Sequence, residues 1–160
     1  MKRIAKPALA VGIALLSAAA PAADDISVEA AISLYCETLV SGGSVRQVES
    51  LAAAEGWKSD SVGGQRVIRN GELLVGLSDS PRVCFVQAPA AMTRAQGFQL
   101  ADDWGRRNAG AVRAAATTGP DGAPVRAWRN PARKIALIAT QQTSPAGTKV
   151  MAFILMPAPN

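Results

Sequence analysis

The clearest alternation of apolar and polar positions runs from Gln65 to Pro89, QRVIRNGELLVGLSDSPRVCFVQAP. A period of two is that of a half-buried strand. Asn70-Gly71 within it is a strong hairpin signal, because a type I′ turn needs positive φ at both central residues. The stretch predicts a three-stranded antiparallel meander. With Asn70-Gly71 as a two-residue loop, Arg69 faces Glu72, Ile68 faces Leu73 and Val67 faces Leu74. A four-residue loop over 78–81 then sets Val75 opposite Cys84 and Leu73 opposite Val86. One face would carry Ile68, Leu73, Val75, Cys84 and Val86, and the other Val67, Leu74, Val83 and Phe85.

Before the meander the period lengthens to that of a helix. Val28, Ala31, Ile32, Tyr35, Cys36 and Leu39 form one apolar stripe over about Ser27 to Val40, led in by Asp24 and Asp25 and broken at Gly42-Gly43. Ser44 with Gln47 predicts a capping box that opens a second helix with Val45, Val48, Leu51 and Ala52 inside. Gly56 closes that helix and Trp57 folds back over the corner. Thr93 with Gln96 opens a third helix that runs to about Asn108. Its apolar positions are Met92, Ala95, Phe98, Leu100, Ala101 and Trp104, interrupted by Gly97 and Gly105. Residues 111–118 fit either helix or strand, and 119–122 make a turn. Val125 to Arg129, Lys134 to Gln141 and Thr148 to Met156 read as strands. The last two form a hairpin that is apolar on both faces, and so central or covered on both sides. The order ααβββαβββ predicts a single α+β domain over 23–156, a mostly antiparallel sheet covered by helices, with 157–160 as a mobile tail.

The first 22 residues carry an address. Lys2, Arg3 and Lys6 precede an apolar run from Ala8 to Ala20, and Ala20-Pro21-Ala22 is a small-x-small cleavage site. This is the pattern of a secretory signal peptide. The run is shorter than the roughly 20 apolar residues a membrane span needs. The other reading is an uncleaved N-terminal anchor. Removal near Ala22 would yield a periplasmic or secreted protein with no transmembrane span. It would also lower the charge: of 17 basic residues 14 remain against 12 acidic ones, a net of +2, so the basic pI gives no support for a nucleic-acid partner. That charge is uneven. Residues 23–105 hold 6 basic and 11 acidic groups, whereas 106–160 hold 8 basic groups and Asp121 alone.

Two cysteines in an exported chain most economically make one disulfide, Cys36–Cys84; the alternative is two free thiols or a redox pair, although there is no C-x-x-C. The chain has no histidine, which removes Ser-His-Asp and Cys-His nucleophiles and every histidine-containing metal site. S-x-x-K, G-x-S-x-G, G-x-G-x-x-G and phosphate-loop patterns are absent as well. Asp102 and Asp103, adjacent on a helix and about 100° apart around it, cannot act together on one bond and read as a solvated face. Asp60, Asp79 and Asp121 sit in turn-like contexts without metal-ligand spacing. No enzyme, cofactor or metal is expected. The remaining constellation is basic: Arg106, Arg107, Arg113, Arg126, Arg129, Arg133 and Lys134. Arg126 and Trp128 should share one strand face, where stacking and forked hydrogen bonds could take an anionic or aromatic group. The plainer reading is a solvated face beside a buried tryptophan.

Cys36, Gly56-Trp57, Leu74-Val75-Gly76 and Cys84 resemble the pattern of small exported proteobacterial proteins with two cysteines and no assigned activity. The resemblance covers about the first half of the chain and implies a shared fold only. The functional expectation is a non-catalytic exported binding or accessory module. It would contact an envelope protein or an anionic surface through Arg106, Arg107, Arg126, Trp128 and Arg129. The alternative is a small-molecule binder with an apolar pocket between the sheet and the third helix, at Phe98, Trp104 and Trp128.

Overall fold

The structure is a computed structural model that describes residues 27–144 and 146–159. The expected signal peptide, the Asp24-Asp25 lead-in, Pro145 of the last hairpin loop and Asn160 lie outside the described residues. The first helix, α1, begins where Ser27, in extended conformation, accepts the Ala30 N–H at 3.2 Å, an N-cap that satisfies one orphan donor. It continues through Val28–Ala31, Ile32–Cys36 and Glu37–Val40, and its middle segment is a π-helix. Val28, Ile32, Cys36 and Val40 recur every fourth residue and are all buried. A four-residue spacing overshoots the α-helical turn of 3.6 residues, and the wider π turn takes back that drift, which keeps the row against the sheet.

The second helix, α2 (Val45–Ala54), is held at its start from two sides. Ser44 Oγ accepts the Gln47 N–H, the serine half of the expected capping box, and Asp79 Oδ1 accepts the Val45 N–H at 3.1 Å. Asp79 therefore caps a helix from across the fold instead of serving its own turn. Val45, Val48 and Ala52 are buried, but Leu51, expected inside, is exposed because it projects beside their row. Trp57 folds back as expected and meets Tyr35 edge to face, ring centroids 5.0 Å apart. The third helix, α3 (Arg94–Arg107), opens with the complete Thr93–Gln96 capping box.

Among the described residues nine strands form one antiparallel sheet. They are β1 (Lys58–Val62), β2 (Gln65–Asn70), β3 (Leu73–Asp79), β4 (Arg82–Gln87), β5 (Val112–Arg113), β6 (Thr117–Thr118), β7 (Pro124–Asn130), β8 (Ile135–Thr143) and β9 (Lys149–Pro157). The spatial order is β1-β2-β3-β4-β9-β8-β7-β5, with β6 also on β7. The fold is thus a single α+β domain in which two meanders meet where β4 pairs with β9. The first meander has four strands, not three. Its extra edge strand, β1, is exposed at every position and carries no apolar alternation to announce it. Gly63 and Gly64, both at positive φ, turn it into β2. Residues 111–118 yield two short strands.

The registers correct the expected pairing. Ile68 pairs with Val75 and Asn70 with Leu73; Val75 pairs with Val86 and Leu77 with Cys84. The loops are therefore Gly71-Glu72 and Ser80-Pro81, and each hairpin is displaced by two residues from the expected match. Glu72, freed from a cross-strand partnership with Arg69, accepts the Ala90 N–H instead at 3.2 Å. A shift of two returns every side chain to its face, whereas a shift of one would invert them all. Cys84 consequently still points at α1, and the Cys36–Cys84 disulfide joins helix to strand with Cα atoms 5.1 Å apart.

All three helices lie on one face. The disulfide places α1 there, the Asp79 cap and the Arg66–Glu49 ion pair (2.6 Å) place α2, and the contacts of α3 with β7 and β8 place the third. The core is the cross-strand packing of that face, typified by the row Ile68, Val75, Val86, Phe153 and Ala139. On the opposite, outer face Val67, Ala136, Val150 and Ala152 are also buried, but they stand apart from this core and are shielded by their neighbours within the sheet.

Candidate functional site

Arg126 and Trp128 do share a face of β7, and it is the face under α3. Trp128 Nε1 donates to Asp102 Oδ1 at 3.0 Å, and Arg126 forms an ion pair with Asp102 Oδ2. The Arg126 guanidinium lies 5.0 Å from the centroid of the Phe98 ring, a cation–π distance. Gly105, one turn beyond Asp102, lets the helix approach so closely that a Cβ there would strike the Trp128 indole. Asp102 is therefore not part of a solvated face. Burial pushes its carboxyl up, but the hydrogen bonds from Trp128 and Arg126 and the charges of Arg126 and Arg113 outweigh that, so it titrates below the ordinary carboxylate value. A glycine in the middle of a helix marks a close approach, and Gly105 was the one sequence signal of this contact.

The other basic residues are dispersed. Arg106 pairs with Asp103 on the exposed surface of α3, and Arg107 pairs with Glu29 of α1 at 2.7 Å. Arg133 reaches Glu37 at 2.7 Å and also bonds Asn108, while Glu37 accepts from the Trp104 indole at 3.0 Å. Asn130, fully buried, donates to the Ala109 carbonyl and accepts the Arg133 N–H. These bonds stitch α1, α3 and the β7–β8 turn together. Of the seven residues in the basic constellation, Arg113, Arg129 and Lys134 form no ion pair with the described residues, and all three are exposed. Arg113 stands opposite Trp128 and so on the α3 face of the β5–β7 edge, Arg129 stands opposite Val112 on the outer face, and Lys134 lies in the turn that leaves β7. Arg126 and Arg129, by alternation, lie on opposite faces.

Phe98, Trp104 and Trp128 do not line a common pocket. Trp104 is 1% exposed in the core, and Trp128 is half-buried with its indole packed against Gly105. A cleft of about 690 Å³ opens instead at the N-terminal end of α3, where Phe98 and Pro124 are flanked by Arg94 and Lys149. Among the described residues no three of His, Cys, Asp and Glu are grouped as metal ligands, and no helix is long and apolar enough to cross a membrane. Compared with protein-family models, with curated proteins and with solved structures, the chain finds no match in any of the three.

Proposed function

We propose that this chain is a non-catalytic, exported binding module that rests on an anionic surface of the cell envelope through the basic end of its sheet. The observation that carries the reading is the trio Arg113, Arg129 and Lys134, exposed cations around the β5–β7 edge of the sheet, on both of its faces, that form no ion pair among the described residues. Cations already paired have little left to offer a partner, so the neighbouring Arg106, Arg107, Arg126 and Arg133 serve the fold and these three serve the surface. The disulfide supports a life in an oxidising compartment. Co-sedimentation with vesicles of anionic phospholipid tests the reading. The double variant Arg113→Glu/Arg129→Glu should bind at least about a hundredfold more weakly, since each basic residue near such a surface contributes about 1 kcal/mol. Its melting temperature should fall only slightly, because Arg129 forms no ion pair among the described residues and Arg113 acts on Asp102 through its charge alone. Wild-type protein that ignores anionic vesicles, or a double variant that binds them equally well, would refute it.

The cleft at the start of α3 favours a second reading, a binder of small molecules with an apolar body and an anionic group. Phe98 and Pro124 offer the apolar wall, and Arg94 and Lys149 the charge. Aromatic carboxylates should then raise the melting temperature of the wild type and fail to do so for Lys149→Ala. No shift in the wild type disposes of it.

A further inference from the structure

The outer face of the sheet differs from the rest of the surface. Across β3, β4, β9 and β8 no outer-face side chain is charged; the first charges are Arg69 on β2, Arg129 on β7 and Asp121, whose loop walls a cleft beside Ile138, Thr140 and Ile154 at one border of the face. Its centre is apolar, with Leu74, Val83, Phe85, Ile138, Ile154 and Met156 all partly exposed. Its polar groups are neutral amides and hydroxyls: Ser78, Gln87, Thr140 and Gln142. Strands about 4.8 Å apart and same-face residues about 6.8 Å apart make the five strands from β3 to β7 a field of about 24 by 25 Å, on the order of 600 Å². Its apolar part falls within the range for the largest apolar patch on a typical monomer, roughly 300–600 Å². The whole field reaches the roughly 600 Å² per partner at which specific interfaces begin, before side-chain relief is added to the flat projection.

We propose that this face is the interface of a homodimer in which two copies of the chain pack sheet on sheet. The chemistry of the face selects a second copy over an unlike partner. A charged partner would call for complementary charge on this face, and here charge stands only at the borders. An apolar centre with a charged rim is the anatomy of homodimer interfaces. Amides and hydroxyls both donate and accept, so the same four groups can satisfy one another across a two-fold axis. Apolar rows alternating with inward core residues are also what aligned sheet packing requires, with the two sheets about 10 Å apart.

Equilibrium sedimentation of the oxidised protein over a wide concentration range tests the proposal. The wild type should dimerise, and Ile138→Glu and Thr140→Glu should each raise the dissociation constant at least about a hundredfold, because the two-fold axis brings two like charges into one dry interface. Thr140 is already polar and partly exposed, so its variant decides the matter if Ile138→Glu does not fold. Leu51→Glu, at an apolar residue exposed on α2, should leave the dimer intact. A wild type monomeric throughout, or a dimer that survives both outer-face variants, overturns the proposal. A monomer whose binding to neutral lipid vesicles is abolished by Thr140→Glu assigns the face to lipid instead and overturns it too.

Discussion

Asp102 and Asp103 are neighbours in sequence with unlike surroundings, and single substitutions should separate them. The Asp102 side chain is 18% exposed and holds two partners on β7, whereas Asp103 is 40% exposed and holds Arg106, itself 58% exposed. Asp102→Asn should cost about 1–3 kcal/mol in urea unfolding, the usual value of a hydrogen bond to a charged group. Asp103→Asn should stay within about 0.5 kcal/mol, as surface ion pairs do. Acid separates them further. The folded carboxyl of Asp102 lies below the ordinary 3.8, so the unfolded chain takes up that proton first. Its contribution is therefore complete above about pH 4 and lost as pH falls through the folded value. The stability gap between wild type and Asp102→Asn should close on that acid limb, and a gap constant to the lowest pH would refute this role.

At the scale of elements, α3 and β7 fit through glycine. Gly105→Ala gains helix propensity of about 1 kcal/mol, but its methyl meets an indole pinned by Asp102, so a net loss of about 1–3 kcal/mol is expected from overpacking. Gly97→Ala meets the buried Met151 side chain at both Cγ and Cε, but this chain can change rotamer where the indole cannot, so the variant should lose less than Gly105→Ala. Thermal unfolding of the two variants side by side checks the contrast. Elements with a strong period or cap were legible from sequence: the α1 stripe, the Thr93–Gln96 box and both hairpins of β2–β4. β1 was not, because an edge strand needs no apolar alternation when its backbone bonds carry it. The two-residue register shift was invisible to pattern alone, since Leu73, Val75 and Leu77 are interchangeable by face. It did no harm to the disulfide for the same reason. Of the basic residues, sequence placed Arg126 beside Trp128 correctly, but a carboxylate 24 residues upstream, which no local period links to β7, determines what they hold.

For the molecule as a whole, the disulfide closes a loop between residues 48 apart. The chain-entropy model gives such a link about 4 kcal/mol, a large share of a total that is typically 5–15 kcal/mol. Reduction should lower the urea midpoint accordingly, and an unchanged midpoint with both thiols alkylatable would remove the bond from any stabilising role. The bond ties α1 to β4, wholly on the N-terminal side of the seam, whereas strand pairing between the two meanders, among the described residues, passes only through the four residue pairs of β4 and β9. A chain that emerges N-terminus first can therefore lock α1 to β4 before β9 exists. The later strands then add to a template that is already cross-linked. The same seam makes 88–93 a natural place to cut. Two separately produced pieces, one ending after β4 and one starting with α3, each carry a complete meander and should find each other along the β4–β9 edge and through the bonds that Glu29 and Glu37 of α1 make with Arg107, Trp104 and Arg133.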